Sequence, residues 1–249
     1  MKITLSFVLN LLLLTICNSQ NLTLSFGVKQ IESESGEIQF GYIDESPVPD
    51  EFITDFEITS AKQAVSLAGE FDWYNESSIY AIGRLQGFVG PMNGVDLGLG
   101  AGYAIKLNNQ STIRLQPEIL AVLGYASKSL GELIVQNNGS VYITVNETQF
   151  DNYENVGVTL QKTYLTIKPG ISLAIGLKSG NEIKLQVSYQ FFGDKGMVAF
   201  DGPVNGEEVS EMEEIGVSNM YFYLDGITSY DIPFKPKGFE LRLGYSFMN

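Results

Sequence analysis

Fourteen charged residues sit at alternate positions in segments that are otherwise apolar, and they are the groups best placed for chemistry: Lys29, Glu70, Asp72, Arg84, Asp96, Lys106, Arg114, Glu118, Lys168, Lys178, Glu182, Lys184, Glu240 and Arg242. Eight are basic and six acidic. Such near-balance is expected where side chains pair in a confined, water-poor space, because an unpaired charge there is costly. Glu70 and Asp72, two apart on an extended chain, share one face and could act as an acid/base carboxylate pair. Arg84 and Arg114 offer them ion-pair partners instead, and a structural charge network is the reading adopted. The chain has no histidine, so no Ser-His nucleophile can be built. It is read as a non-enzyme, with no catalytic and no cofactor-binding residue.

Two stretches, "DESPVPDEFITDFE" (44–57) and "DGPVNGEEVSEMEE" (201–214), offer hard oxygen ligands of the sort Ca²⁺ accepts. Neither has the spacing of an EF-hand loop. They are read as solvated acidic loops with no metal site assigned, and Ca²⁺ is the one cofactor candidate they leave. The glycine series "GLGAGY" (98–103) lies inside a strand pattern and opens no helix, so it is not a nucleotide loop. With 29 acidic against 15 basic residues, the surface would repel phosphates, which argues against a nucleic-acid partner.

The elements that must position these charges are strands. The chain opens with Met1-Lys2, an apolar run and Ser19, which reads as a secretory signal peptide over 1–19 followed by one domain over 20–249. Cys17, the sole cysteine, could be a lipidated residue, but Ile16 before it departs from that pattern, and cleavage after Ser19 is preferred. Beyond it, apolar and polar residues alternate with period two. In the last segment Phe239, Leu241, Leu243, Tyr245 and Phe247 share one face, with Glu240, Arg242, Gly244 and Ser246 on the other. Similar alternation runs through roughly 21–29, 63–74, 78–89, 95–107, 112–126, 165–178 and 182–191, giving eight strands of a length that suits a tilted membrane crossing. Short connections at 75–77, 108–111 and 179–181 alternate with longer ones at 30–62, 127–160 and 192–237; only 90–94 breaks the rule. The three long segments hold 22 of the 29 acidic residues and five basic ones. Outer-membrane barrels sort their loops by length in this way.

Alternation alone also fits a soluble lipocalin-like barrel turned inside out. Small residues on the polar face, Gly98, Gly100 and Gly102 in one strand and Gly170, Ser172, Ala174 and Gly176 in another, suit a crowded lumen better than a solvated exterior. Aromatics near strand ends (Trp73, Tyr125, Phe191, Tyr245, Phe247) suit an interfacial girdle. Pro117 and Pro169 fall inside strands, where a bulge at each is expected.

The stretches "IRLQPEILAVLGY" (113–125), "TYLTIKPGISLAIGL" (163–177) and the closing "FELRLGYSF" together resemble the small porin-like outer-membrane β-barrel family of the Bacteroidetes type. Here Lys168 separates Ile167 from Pro169, and Met248 and Asn249 follow the terminal aromatic, both departures from that pattern. The resemblance implies an all-β, closed, antiparallel up-and-down barrel in the outer membrane of a Gram-negative cell. Its partners would be outer-membrane lipid and the barrel-insertion machinery, the latter reading the strand that carries Phe239, Leu241, Leu243, Tyr245 and Phe247. No specific chemistry is implied. The expectation is thus an eight-stranded barrel with a filled lumen and a structural or surface-interaction role through its acidic loops. Two alternatives stay open: a ten-stranded narrow pore, if 36–44 with 51–59 or 141–147 with 156–164 join the wall, and a soluble secreted binding barrel.

Overall fold

In a computed structural model of the chain, period-two alternation becomes strand almost throughout, and among the described residues the one helical element is a single 3₁₀ turn, Tyr153–Asn155. The structure describes residues 21–33, 36–44, 49–58, 63–74, 78–108, 112–135, 142–191, 196–214, 219–224, 227–230 and 233–248. The segment read as a signal peptide, with Cys17, and the turns at 75–77 and 109–111 lie outside the described residues.

Eight strands form the wall: β1 (Asn21–Gln30), β2 (Gln63–Tyr74), β3 (Ile79–Val89), β4 (Asn93–Tyr103), β5 (Ile113–Glu132), β6 (Gly157–Gly176), β7 (Glu182–Gln190) and β8 (Gly238–Met248). Each pairs antiparallel with its neighbours in sequence, and β8 returns to β1 from Asn21↔Met248 to Lys29↔Glu240, closing the barrel. From Met248 the rungs lead through Asn21, Asp72, Ile82, Gly100, Leu120 and Lys168. Continuing the Gly170↔Ser188 ladder by two residues reaches Gln190 and then Gly238, ten residues down the starting strand. Such a stagger over eight strands goes with a tilt of about 40°, and a barrel this narrow has an interior that side chains fill.

The wall faces outward with its greasy side. Leu67 is 67% exposed, Leu165 72% and Leu243 59%, whereas Arg242 is 1% and Lys184 4% exposed. Exposed apolar faces of this extent are unstable in water and suit hydrocarbon. Aromatic pairs bracket the belt: Tyr245 against Phe247 (5.0 Å between ring centres) at the short-turn end, and Tyr189 against Phe191 and Phe239 (5.0 and 4.9 Å) at the other. Phe239 and Phe247 are eight positions apart, which at about 3.3 Å per residue and about 40° of tilt spans about 20 Å along the axis. A soluble barrel is therefore excluded, and the fold is a transmembrane one.

Neither strand proline marks a bulge. The ladder between β4 and β5 lapses between Gly102↔Glu118 and Ile105↔Leu115 with its register unchanged, and Pro117 falls in that lapse. Pro169 precedes Gly170, where the β6–β7 ladder begins. Each ring sits where its strand has no N–H to give. The one register shift in the β5–β6 ladder lies between Val158 and Thr159.

Apart from 127–132 and 157–160, which lengthen β5 and β6 past the other strands, the long connections do not enter the wall. Gly36–Ile43 and Glu51–Ile58 pair with each other and join Met220–Leu224, Ile227–Ser229 and Ile134–Val135 in a separate five-stranded sheet. Ile143–Val145 and Thr148–Phe150 form a two-stranded hairpin. Gly196–Val204 pairs with the upper end of β6 and with Glu207–Glu214 through a two-residue turn, where Asn205 and Gly206 have positive φ (51° and 79°). The ten-stranded alternative is thereby corrected: the extra alternation belongs to strands that stand beyond the membrane.

Leu243→Arg places a guanidinium in the lipid-facing belt and should lower stability by about 2–4 kcal/mol, the depth-dependent cost for a cation near the midplane. Urea unfolding in lipid vesicles reads it, and Leu243→Phe, which keeps the face apolar, should stay near the parent value.

Candidate functional site

Alternation turns the polar face of every wall strand inward, and the charges predicted from the sequence meet there in tiers. Nearest the short turns, Arg114 binds Glu182 and lies 5.5 Å over the Tyr74 ring, which stacks on Tyr80 (4.8 Å). In the middle, Glu70 receives both Arg84 (Nε at 2.7 Å) and Lys184, and Arg84 reaches on to Glu118 at 2.7 Å. Lys184 also lies 3.3 Å from Asp72. Gln186 donates to Glu118 and accepts from Arg242, which stands 3.9 Å from Glu70 and 4.0 Å from Glu240. Above, Glu240 holds Lys168, Gln86 and the Ser66 hydroxyl (2.9 Å). At the mouth, Lys29 pairs with Asp96 at 2.6 Å, sits 4.1 Å over the Phe88 ring, and shares Asp96 with the Tyr164 hydroxyl.

Twelve of the fourteen predicted residues thus meet in one interior, six cations against six anions. Lys106 and Lys178 do not: both are exposed, one at the turn-side rim and one in the turn after β6, where the lumen opens to water. Lys106 is on the last rung of its ladder, opposite Arg114, and Lys178 lies beyond the last rung of its own, so alternation assigned both to an interior that ends before them. The sequence also missed apolar and aromatic side chains that point inward, namely Tyr80, Ile82, Phe88, Leu120, Val122 and Tyr164. The mixed faces of β3 were the available signal. Gly102 answers Tyr80 directly, since a Cβ there would meet the Tyr80 ring at 2.3 Å.

Glu70 and Asp72, the carboxylate pair two residues apart, are both engaged by Lys184. Among the described residues no three acidic side chains converge as a metal site.

Above the mouth, residues from all three long connections condense into a cap with its own apolar core. Phe40 packs on Phe222 (5.5 Å between ring centres), Tyr42 on Phe200 (4.8 Å) and Phe52 on Tyr153 (5.7 Å). Val145, Phe150, Val158 and Val198 join them, fully buried. The cluster runs without a break into Ile31, Phe88 and Met92 at the barrel mouth, each 2% exposed or less. Polar ties cross between connections: Tyr42 donates to the Thr144 carbonyl (3.1 Å), Asn146 to the Met212 carbonyl (2.9 Å), and Thr148 to Glu211 (2.8 Å). Asp151 accepts from the turn amides of Asn205 and Gly206 at 3.0 and 3.1 Å. The described parts of the acidic connections, expected as solvated loops, are therefore largely folded β structure.

Apolar belt, paired lumen and closed ladder define an outer-membrane-type transmembrane β-barrel. No protein-family model and no characterised protein matches the sequence. Among solved structures it is similar in outline to a major outer membrane protein of Thermus thermophilus (13% identity, 92% of this chain and 98% of that one, TM-score 0.40). It is similar too to the outer membrane protease OmpT of Escherichia coli (11%, 93% and 97%, 0.37) and to Ail, the attachment invasion locus protein of Yersinia pestis (11%, 92% and 99%, 0.32). The class rests on the geometry of the wall and not on these likenesses.

Lys29→Met strands the Asp96 carboxylate beneath the cap and should cost about 3–5 kcal/mol, the penalty for a buried charge left without its partner. Lys29→Met with Asp96→Asn removes both charges and should recover most of that loss, measured by denaturant titration of the folded barrel.

Proposed function

We propose that the chain is a non-conducting barrel of the outer membrane of a Gram-negative bacterium, of the Bacteroidetes type, whose task is to hold the acidic cap outside the cell for contact with a partner. One observation carries the reading: three long connections spend their hydrophobic residues on a shared core seated on the mouth, where Ile31, Phe88 and Met92 are sealed. A conducting pore needs an open mouth and a lumen free of cross-strand ion pairs. Loops that served only as linkers would gain nothing from a buried aromatic cluster. On this reading the chain is not an enzyme, uses no cofactor, and meets lipid and the insertion machinery through its belt and its last strand.

Planar-bilayer recording should give no steady single-channel current from the purified protein, and a stable open level would sink the filled-lumen reading. Phe222→Ala should cost the cap about 3–5 kcal/mol through the cavity it leaves. Limited proteolysis of the reconstituted protein should then cut within the cap strands while the wall stays protected, whereas loss of wall and cap together would show that the two do not fold separately.

A further inference from the structure

The face of the cap sheet that points away from its core carries a shallow trough of about 290 Å³ lined by Gln39, Tyr221, Tyr223 and Thr228. Register builds it. Asp55, Gln39, Tyr223 and Thr228 stand opposite one another in a single row across four strands, and Gly41 faces Tyr221 in the next row. Alternation sends Phe40, Phe56 and Phe222 to the buried side of the same strands, so both tyrosine rings must face out.

Two details fix the rings and their surroundings. A Cβ at position 41 would lie 2.1 Å from Cζ of Tyr221, so glycine there lets the Tyr221 ring lie down on its neighbour strand. The Tyr221 hydroxyl donates to the Glu51 carboxylate, and Gln39 Nε2 donates to Asp55 Oδ1 at 3.0 Å, which fixes one carboxylate at the Tyr221 hydroxyl and the other across Gln39 from Tyr223. Burial, together with the bond to Glu51, pushes the Tyr221 phenol up to about 12, so it stays a donor at any physiological pH. Glu37 is exposed on this face as well, and none of the five strands of the sheet contains a lysine or an arginine.

Resting on the reading that the cap meets a partner, we propose that this trough binds a guanidinium or ammonium side chain presented by a basic protein. An aromatic face attracts a cation through its quadrupole, and a hydroxyl that donates to a carboxylate leaves its ring richer in electrons. Glu51 and Asp55 add charge of the matching sign, and no cation of the sheet competes for it. The same charges repel sulfated, phosphorylated and acidic-sugar ligands. Exposed tyrosines are common on sheets because they favour extended backbone. That preference gives no reason for a glycine bed, for a carboxylate bonded to one phenol and a second fixed across Gln39 from the other ring, or for the lack of any cation on five strands.

The test uses the whole protein in lipid nanodiscs at physiological salt, where diffuse attraction to the acidic cap is screened. Calorimetry measures octa-arginine and, separately, neutral maltohexaose. Octa-arginine should bind the parent, and Tyr223→Ser and Asp55→Asn should each weaken it by about two- to fivefold, the range for one exposed cation–π or ionic contact. Glu208→Gln, which removes the same charge from the exposed hairpin strand Glu207–Glu214, should change it less than twofold, and limited proteolysis should confirm that each variant keeps its cap. Equal weakening by Glu208→Gln would reduce the effect to general acidity and overturn the trough. So would no binding of octa-arginine, or tyrosine-dependent binding of maltohexaose in its place. None of these results touches the anchor reading, which stands or falls on conductance.

Discussion

Closure of the ladder between β1 and β8 is the constraint on which everything else depends. In hydrocarbon no water satisfies a bare N–H or C=O, so a sheet can cross a membrane only when it has no edge. The rungs from Asn21↔Met248 to Lys29↔Glu240 remove that edge. Closing eight strands with a stagger of ten residues then fixes the tilt, the narrow bore and the side that each residue faces. Pro117 and Pro169 are admitted because they sit where a ladder has already lapsed.

A narrow bore forces the electrostatics. Glu70, Arg84, Glu118, Lys184 and Arg242 are buried side by side, and charges taken from water recover their hydration only when bonded on several sides. Glu240 meets this demand with Lys168, Gln86 and Ser66. Replacing such pairs by apolar residues need not destabilise a protein, so their value here lies in register. Slipping one strand by a residue would turn its charges into lipid and its leucines into the lumen. A polar lumen and an apolar belt therefore specify the same register twice.

The wall and most of its lumen were legible in the sequence because one pattern encodes both. Alternation located all eight strands, the inward charges from Lys29 to Arg242, and the outward Leu185 and Leu241. It failed where its premise failed. Lys106 and Lys178 lie where the wall ends and facing no longer follows from parity. Tyr80, Ile82 and Phe88 lie where the lumen itself is apolar, so β3 looks greasy on both sides. The cap was the largest loss. Residues 36–43 and 51–58 alternate as cleanly as membrane strands do, and nothing in period two says whether the greasy face meets lipid or other side chains.

What separates the two kinds of strand is the company their polar residues keep. In the wall strands eight cations stand against seven anions, a near-balance that a bore able to hold little unpaired charge demands. In the long connections, 22 acidic residues stand against five basic ones, a surplus tolerable only where water solvates it. Glu207–Glu214 makes the point within one strand: five of its eight residues are glutamates, which no lumen could accommodate. The same surplus repels the phosphates of a membrane surface, so a cap of this sign is driven to stand off from the headgroups instead of lying on them. Its aromatic core at Phe40, Tyr42, Phe200 and Phe222 then gives the raised cap a defined shape, and the sign of its charge selects what can approach.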